Sequence, residues 1–121
     1  MILILDDSEA CAETLQIALE TLPGLESRAL RNPSAALAIL REEGANVAAV
    51  VTDLHLARHD GLDLIGRIRA DPRYARLPII LISGDSDPGL PARALVQGAD
   101  AFFSKPYSPA EVRRKLEQLL C

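Results

Sequence analysis

Residues 47–53 have the sequence Val-Ala-Ala-Val-Val-Thr-Asp, an uncharged run that ends in a carboxylate. A short run rich in β-branched side chains is typical of a strand that helices cover on both faces. Strands of this kind belong to parallel sheets. Asp53 then stands where the strand reaches the edge of its sheet.

Three other apolar runs also lead into polar residues: 2–5 into Asp6-Asp7, 78–82 into Ser83-Gly84, and 101–104 into Lys105-Pro106. Because parallel strands end at one edge of a sheet, we expect three acids, a hydroxyl and a lysine to meet there. Crowded carboxylates need a cation, and Mg²⁺ takes oxygen ligands. A lysine and a hydroxyl beside them suit a phosphoryl group.

Amphipathic stretches alternate with these runs, and a more polar strand at 25–30 is expected at a sheet edge. The helices are predicted as follows: 8–21 before Pro23-Gly24, from Asn32-Pro33 to the C-cap candidate Gly44, about 61–70 before Asp71-Pro72, a fourth to about Gln97, and a last one after the capping box Ser108–Glu111. Five strands and five helices predict one α/β doubly wound domain over 1–121. The rhythm alone leaves the strand order open, although 47–52 and 78–82 should be central.

Composition limits the partners of this chain. The net charge is −4 without a long basic run, which argues against direct nucleic-acid binding. No apolar stretch approaches the ~20 residues of a membrane span, and the first residues do not form a signal peptide. Cys11 and Cys121 should lie far apart as free thiols, which indicates a reducing, cytoplasmic compartment.

The chain resembles the receiver domain of bacterial two-component response regulators, the chemotaxis-regulator-like fold. The resemblance spans the whole chain and rests on these motifs, in order and at family-like spacing: Leu5-Asp6-Asp7, Asp53, Asp60-Gly61, Ser83-Gly84, Gly98-Ala99 and Lys105-Pro106. Taken singly, each has an ordinary explanation, such as a helix N-cap for Asp6-Asp7 or a solvated side chain for Lys105. Together they are specific. They imply a flavodoxin-like parallel sheet of five strands, order 2-1-3-4-5, flanked by five helices.

The resemblance also implies roles for the acids. Asp53 would be the phosphoacceptor, which takes a phosphoryl group from a histidine kinase or a histidine phosphotransfer protein. Asp6 and Asp7 would hold Mg²⁺ together with Asp53 and the main-chain carbonyl of His55, with one of the first two acids acting through water. The metal would neutralise charge as the acyl phosphate forms.

Further residues would contact or sense the phosphoryl group. Lys105 would pair with the acceptor and then with the phosphoryl group, and Ser83 would donate a hydrogen bond to it. Gly84, where the family commonly has alanine, would leave the site open to phosphodonors. As Ser83 moves, Phe102 would turn inward, although one of Phe102 and Phe103 must belong to the core in any case. The face of the fourth helix, last strand and last helix would then change, and it is a possible homodimer contact. The Lys105–Pro106 bond is a candidate cis peptide.

Some positions depart from the family pattern. The loop 56–61 lacks the proline that commonly follows the acceptor, which predicts greater mobility. His55 and Asp85 occupy variable positions beside the path of the attacking water. We expect them to approach each other and partly shield the acyl phosphate, and two solvated side chains are the alternative. Neither histidine has partners at zinc-ligand spacing.

Other functions fit the residues less well. A Mg²⁺-dependent phosphohydrolase with an aspartyl nucleophile would need a second acid two residues after Asp53, where His55 stands. A flavodoxin would need a phosphate loop in place of Asp6-Asp7. A degenerate receiver is excluded because every site position is filled. The expected module modifies only itself and turns over no external metabolite, so it is not a dedicated enzyme. Whether it is a stand-alone regulator or a domain of a longer chain stays open, as do its kinase, signal and output.

Overall fold

The computed structural model describes residues 1–42 and 46–120, and five parallel strands form its main sheet. In chain order, the strands are β1 (Ile2–Leu5), β2 (Ser27–Leu30), β3 (Ala49–Asp53), β4 (His55–Leu56), β5 (His59–Asp60), β6 (Ile79–Ser83) and β7 (Ala101–Ser104). β4 and β5 form a separate antiparallel hairpin. The main sheet has the order β2-β1-β3-β6-β7. Counted over the five predicted strands this is 2-1-3-4-5, so the predicted doubly wound fold is confirmed.

Five helices flank the sheet: α1 (Glu9–Leu19), α2 (Pro33–Arg41), α3 (Gly61–Arg69), α4 (Leu90–Gln97) and α5 (Pro109–Leu120). The first three helices are capped by the side chains of Ser8, Asn32 and Asp60, each of which accepts a hydrogen bond from a backbone N–H of the first turn. α4 ends at Gly98, whose φ of 119° is the left-handed conformation that favours glycine. The predicted C-cap of α2, Gly44, lies outside the described residues.

Two apolar layers cover the faces of the sheet. Helices α2, α3 and α4 pack on one face, and α1 and α5 pack on the other. β1, β3 and β6 are buried along their whole length, whereas the edge strand β2 is not. The prediction of central strands at 47–52 and 78–82 and of an edge strand at 25–30 is therefore confirmed.

Two strands begin two residues later than predicted, and β6 begins one residue later, at Ile79. β2 begins at Ser27 rather than at residue 25, and β3 begins at Ala49 rather than at 47. Both of these residues lie opposite Ile2, the first residue of β1. Regular pairing with β1 sets both limits, and an apolar pattern does not reveal where that neighbouring strand begins.

The register brings the ends of the strands to one level. Asp53 lies opposite Ile82, and Ser83 lies opposite Ser104. The residues that follow β1, β3, β6 and β7 therefore share one edge of the sheet, as expected for parallel strands. Among the residues described, no helix is both long and apolar enough to span a lipid bilayer.

Candidate functional site

A buried carboxylate and an ammonium group lie at the centre of the sheet edge where β1, β3, β6 and β7 end. Asp53 is 7% exposed, and its Oδ2 lies 2.6 Å from Nζ of Lys105. Its Oδ1 accepts a hydrogen bond from the backbone N–H of His55 at 3.3 Å. The N–H of Lys105 donates to the carbonyl of Ser83 at 2.8 Å, so the lysine is tied to the end of β6. The Lys105–Pro106 peptide is cis, as predicted.

Asp6 adds a second buried acid to this centre. Its Oδ2 lies 3.8 Å from Nζ of Lys105, and its Oδ1 accepts the N–H of Ser8 at 2.8 Å. Burial raises the pKa of Asp6 above its ordinary value, and the charges of Asp53 and Asp7 add to this effect against the opposing influence of Ser8 and Lys105. The low-dielectric position disfavours the charged form of Asp6 and so favours an additional cation beside it.

The same two acids determine the charge state of Lys105. Burial disfavours its charged form, but the hydrogen bond to Asp53 and the charges of Asp53 and Asp6 outweigh burial and raise the pKa of Lys105. The lysine is therefore a fixed positive charge at neutral pH, held where a transferred phosphoryl group would add negative charge.

Asp7 lies at the rim of the site, and its carboxylate is directed toward the β4–β5 hairpin and not toward Asp53. It is exposed, and its Oδ2 accepts the N–H of Ala57 at 2.7 Å. Ala57 occupies the turn of the β4–β5 hairpin with φ of 56°. Asp7 thus fixes the segment that follows Asp53, a contact that no sequence pattern indicated because alanine rarely adopts this conformation. The greater mobility expected of this segment stays a prediction.

The segment after β6 lies on the other side of Asp53. Ser83 is fully buried, and its Oγ accepts the N–H of Asp85 at 2.9 Å. A Cβ added at Gly84 would lie 3.7 Å from Cβ of Lys105, an ordinary contact. Nε2 of His55 lies 3.8 Å from Oδ2 of Asp85, with both side chains partly in solvent. Shielding of an acyl phosphate by this pair stays a prediction.

Phe102 and Phe103 are half-buried on opposite faces of β7. Phe102 packs against the layer that includes α3 and α4, and Phe103 packs against the layer of α1 and α5. The alternation follows from the pleat of a strand. Phe102 thus lies on the face that carries α4, where a residue coupled to that helix has to be, and its role as a switch stays a prediction.

The predicted metal ligands do not form a closed cluster. Within residues 1–42 and 46–120, no group of three or more His, Cys, Asp or Glu side chains is placed to hold a metal ion. Asp6 and Asp53 converge on Lys105, while the carboxylate of Asp7 is engaged by Ala57. Two carboxylates and one carbonyl suit Mg²⁺, which usually keeps several waters. The residues therefore fit a partly hydrated magnesium ion better than a fully protein-bound one.

Sequence reasoning missed Tyr107. Burial raises the pKa of this phenol, with smaller contributions from the charge of Asp6 and from Cys11. Together with Cys11 and Pro106 it lines an apolar groove of about 560 Å³ between α1 and the segment after β7. Its place two residues after Lys105 was the only available signal. Cys11 forms no disulfide within the part of the chain that is described, and Cys121 lies outside it.

Comparison with known proteins gives a consistent result. The family model described as "Response regulator receiver domain" matches residues 2–117. The chain is 32% identical over 79 residues to the chemotaxis protein CheY1 of Helicobacter pylori, a match that covers 65% of this chain and 64% of that protein. It is 33% identical over 119 residues to the transcriptional regulatory protein GltR of Pseudomonas aeruginosa, covering 98% of this chain and 48% of that protein.

Solved structures agree with the sequence matches. The crystal structure of the signal receiver domain of an HD domain-containing protein from Pseudomonas fluorescens superposes with a TM-score of 0.84 at 32% identity. That match covers 98% of this chain and 85% of the other. The chain spans about half to two thirds of the length of the curated relatives it matches.

Proposed function

Since the chain belongs to the response regulator receiver domain family, we propose that it is the phosphoacceptor module of a two-component phosphorelay, with Asp53 as the acceptor. One observation carries this proposal: the buried carboxylate of Asp53 ends a central strand with the ammonium of Lys105 at 2.6 Å. The phosphodonor would be a histidine kinase or a histidine phosphotransfer protein. With such a donor, the module would act in the cytoplasm.

For the proposed transfer, Asp53 supplies the attacking oxygen, Lys105 supplies a fixed positive charge, and the donor supplies the phosphoryl group. An oxygen of Asp53 forms a bond to phosphorus while the P–N bond of the donor phosphohistidine breaks, and the electron pair of that bond returns to the imidazole nitrogen. Lys105 holds its charge beside the new acyl phosphate. In hydrolysis, a water oxygen bonds to phosphorus, the P–O bond to Asp53 breaks, and inorganic phosphate leaves with the carboxylate restored.

Magnesium is the proposed cofactor. Asp6, Asp53 and the main-chain carbonyl of His55 would hold it, and Asp7 would act through water unless it releases Ala57. When bound, the ion offsets the negative charge of acceptor and phosphoryl oxygens. The raised pKa of Asp6 supports this assignment, because a cation would relieve the unfavourable burial of its charge.

The output is proposed to be a conformational change at α4, β7 and α5. Ser83 would move toward the phosphoryl group, and Phe102 would turn inward on the same face as α4. α4 exposes two apolar side chains, Leu95 at 57% and Val96 at 88%. These residues support this face as a contact with a second copy, which dilution of the phosphorylated protein in sedimentation experiments would test.

The first test uses Mg²⁺ and beryllofluoride, which mimics an acyl phosphate. Amide NMR signals near residue 53 should shift in wild type only when Mg²⁺ is present, and Asp53→Asn should abolish the shift. Asp63→Asn is the matched control, since Asp63 is an exposed acid of α3 paired with Arg67. Loss of the response in both variants, or no response in wild type, would refute Asp53 as the acceptor.

A further inference from the structure

Three side chains between the end of β6 and the start of α4 each accept a hydrogen bond from the backbone N–H two residues further along the chain. Oγ of Ser83 accepts the N–H of Asp85 at 2.9 Å, Oδ1 of Asp85 accepts the N–H of Asp87 at 3.0 Å, and Oδ1 of Asp87 accepts the N–H of Gly89 at 2.9 Å. Gly89 is the N-cap residue of α4. This 83–89 ladder links a buried hydroxyl at the acceptor site to the beginning of a helix 6 residues away.

Asp87 anchors the ladder to α4 at several points. Its carbonyl accepts the N–H of Leu90 at 3.1 Å, and its Oδ2 accepts a hydrogen bond from Nη2 of Arg93 at 2.8 Å. Gly89 has no side chain with which to cap the helix, and the carboxylate of Asp87 instead holds the N–H of this N-cap residue in place. Leu90 is fully buried. A shift of Asp87 therefore has to carry the first turn of α4 with it.

The other end of α4 is held to α3. Nε2 of Gln97 donates to the carbonyl of Leu62 at 3.0 Å. Arg69 donates twice to the carbonyl of Gly98, at 3.0 and 2.7 Å. Because the C-terminal end is fixed while the N-terminal end follows the ladder, displacement of Ser83 would swing α4 about its C-terminal end.

Without the ladder, residues 84–89 would transmit little of a displacement of Ser83 to α4. Residues 84–89 are exposed and include Gly84 and Gly89, the residue type with the greatest backbone freedom. A flexible tether absorbs a small displacement at one end, whereas a run of side-chain turns fixes successive backbone angles and passes it on.

We propose that Asp85 and Asp87 are positioning residues that transmit movement of Ser83 to the N-terminal end of α4. What moves Ser83 rests on the proposed function, but the coupling itself is a property of the free protein. Solvent exchange of backbone amides, measured by NMR without Mg²⁺ or phosphodonor, tests it directly. Ser83→Ala removes the first acceptor of the ladder, and Ser86→Ala is a matched control at an exposed position of the same segment.

In Ser83→Ala the Asp85 amide should exchange roughly fivefold faster, the equivalent of one ordinary hydrogen bond. The amides of Asp87 and Gly89 should also accelerate, although Ser83 does not contact them, and Ser86→Ala should leave all three unchanged. Acceleration confined to Asp85 would overturn the proposal, because the three hydrogen bonds would then be independent.

A second measurement reads the output with Mg²⁺ and beryllofluoride bound. Asp87→Ala should keep the shifts of amides near Asp53 and lose those of Leu90 and Arg93. Asp87→Asn retains an oxygen that can accept the N–H of Gly89 and should restore them. Full α4 shifts in Asp87→Ala would refute the ladder as the connection. No shift near Asp53 in wild type would instead refute the phosphoacceptor role, and the exchange measurement would still decide the coupling.

Discussion

Gly61 offers the sharpest test of how closely β3 and α3 pack together. A Cβ built on this residue lies closer to the carbonyl oxygen of Asp53 than the 3.0 Å that real Cβ atoms keep, and 3.1 Å from both the Asp53 carbonyl carbon and the Leu54 Cα. All three neighbours are backbone atoms. Gly61→Ala therefore requires the start of α3 to move away from Asp53.

The surroundings resist that movement. The N–H of Gly61 donates to the carbonyl of Leu54 at 2.6 Å, and the N–H of Leu54 donates to the carbonyl of Ile82 at 2.9 Å. Leu64 and Ile65, one turn further along α3, are fully buried. Overpacking of this kind costs about 1–3 kcal/mol. We expect Gly61→Ala to lose about 2 kcal/mol of the free energy of unfolding, since the lower entropy of the unfolded chain returns part of the cost.

Gly84→Ala is the matched control, because it is the same substitution on the other side of Asp53. The added Cβ would lie 3.7 and 3.9 Å from side-chain atoms of Lys105, at ordinary contact distance. The loss of freedom in the unfolded chain should then stabilise the protein by about 0.4–1 kcal/mol. Urea unfolding followed by circular dichroism measures both variants. Equal free energies of unfolding for the two would refute the argument from close packing.

Three further changes test the charges around the site. Asp6→Asn should raise the free energy of unfolding at pH 7 without Mg²⁺. Burial raises the pKa of Asp6, so the wild type loses stability as the pH rises through the pKa of the folded state, and the variant does not. The difference between variant and wild type should vanish below about pH 4 in urea titrations. Arg69→Ala should cost about 2–4 kcal/mol in the same assay, because its guanidinium bonds to the Gly98 carbonyl and other groups, whereas the exposed Arg67→Ala should cost less than about 0.5 kcal/mol. His55→Ala should shorten the lifetime of the acyl phosphate, timed by release of labelled phosphate.

Each of these has a contrary outcome. Wild-type stability of Asp6→Asn at pH 7 would mean that burial does not disfavour its charge. Similar losses for the two arginine variants would mean that the bonds of Arg69 to α4 add nothing beyond an exposed ion pair. An unchanged phosphoryl lifetime would rule out shielding by His55.

The sequence predicted the architecture because its signals are local. The apolar run before Asp53 and the capping residues Asn32 and Ser108 each mark an element without reference to the rest of the chain. Strand limits were harder to predict, since Ser27 and Ala49 begin their strands level with Ile2, the first residue of the neighbouring strand β1. Strand order came from family resemblance and was confirmed by the structure.

The site was predicted in part for the same reason. Parallel strands must end at one edge, so Asp6, Asp53 and Lys105 were expected to meet, and the structure brings them together. The direction of the Asp7 carboxylate was not predictable, because it depends on the hairpin turn at Ala57, 50 residues away. Tyr107 escaped notice because its burial depends on how the segment after β7 packs against α1.

The sequence by itself thus determined which elements form and which chemical groups gather at the edge of the sheet. Periodicity, capping and strand ends are properties of short segments, and the backbone imposes them wherever the chain folds. The tertiary structure alone decided which oxygen each N–H contacts, how closely Gly61 approaches Asp53, and how Ser83 is linked to α4. Those features depend on differences of about 1 Å between packed elements, and only the balance of contacts across the whole domain sets distances of that size.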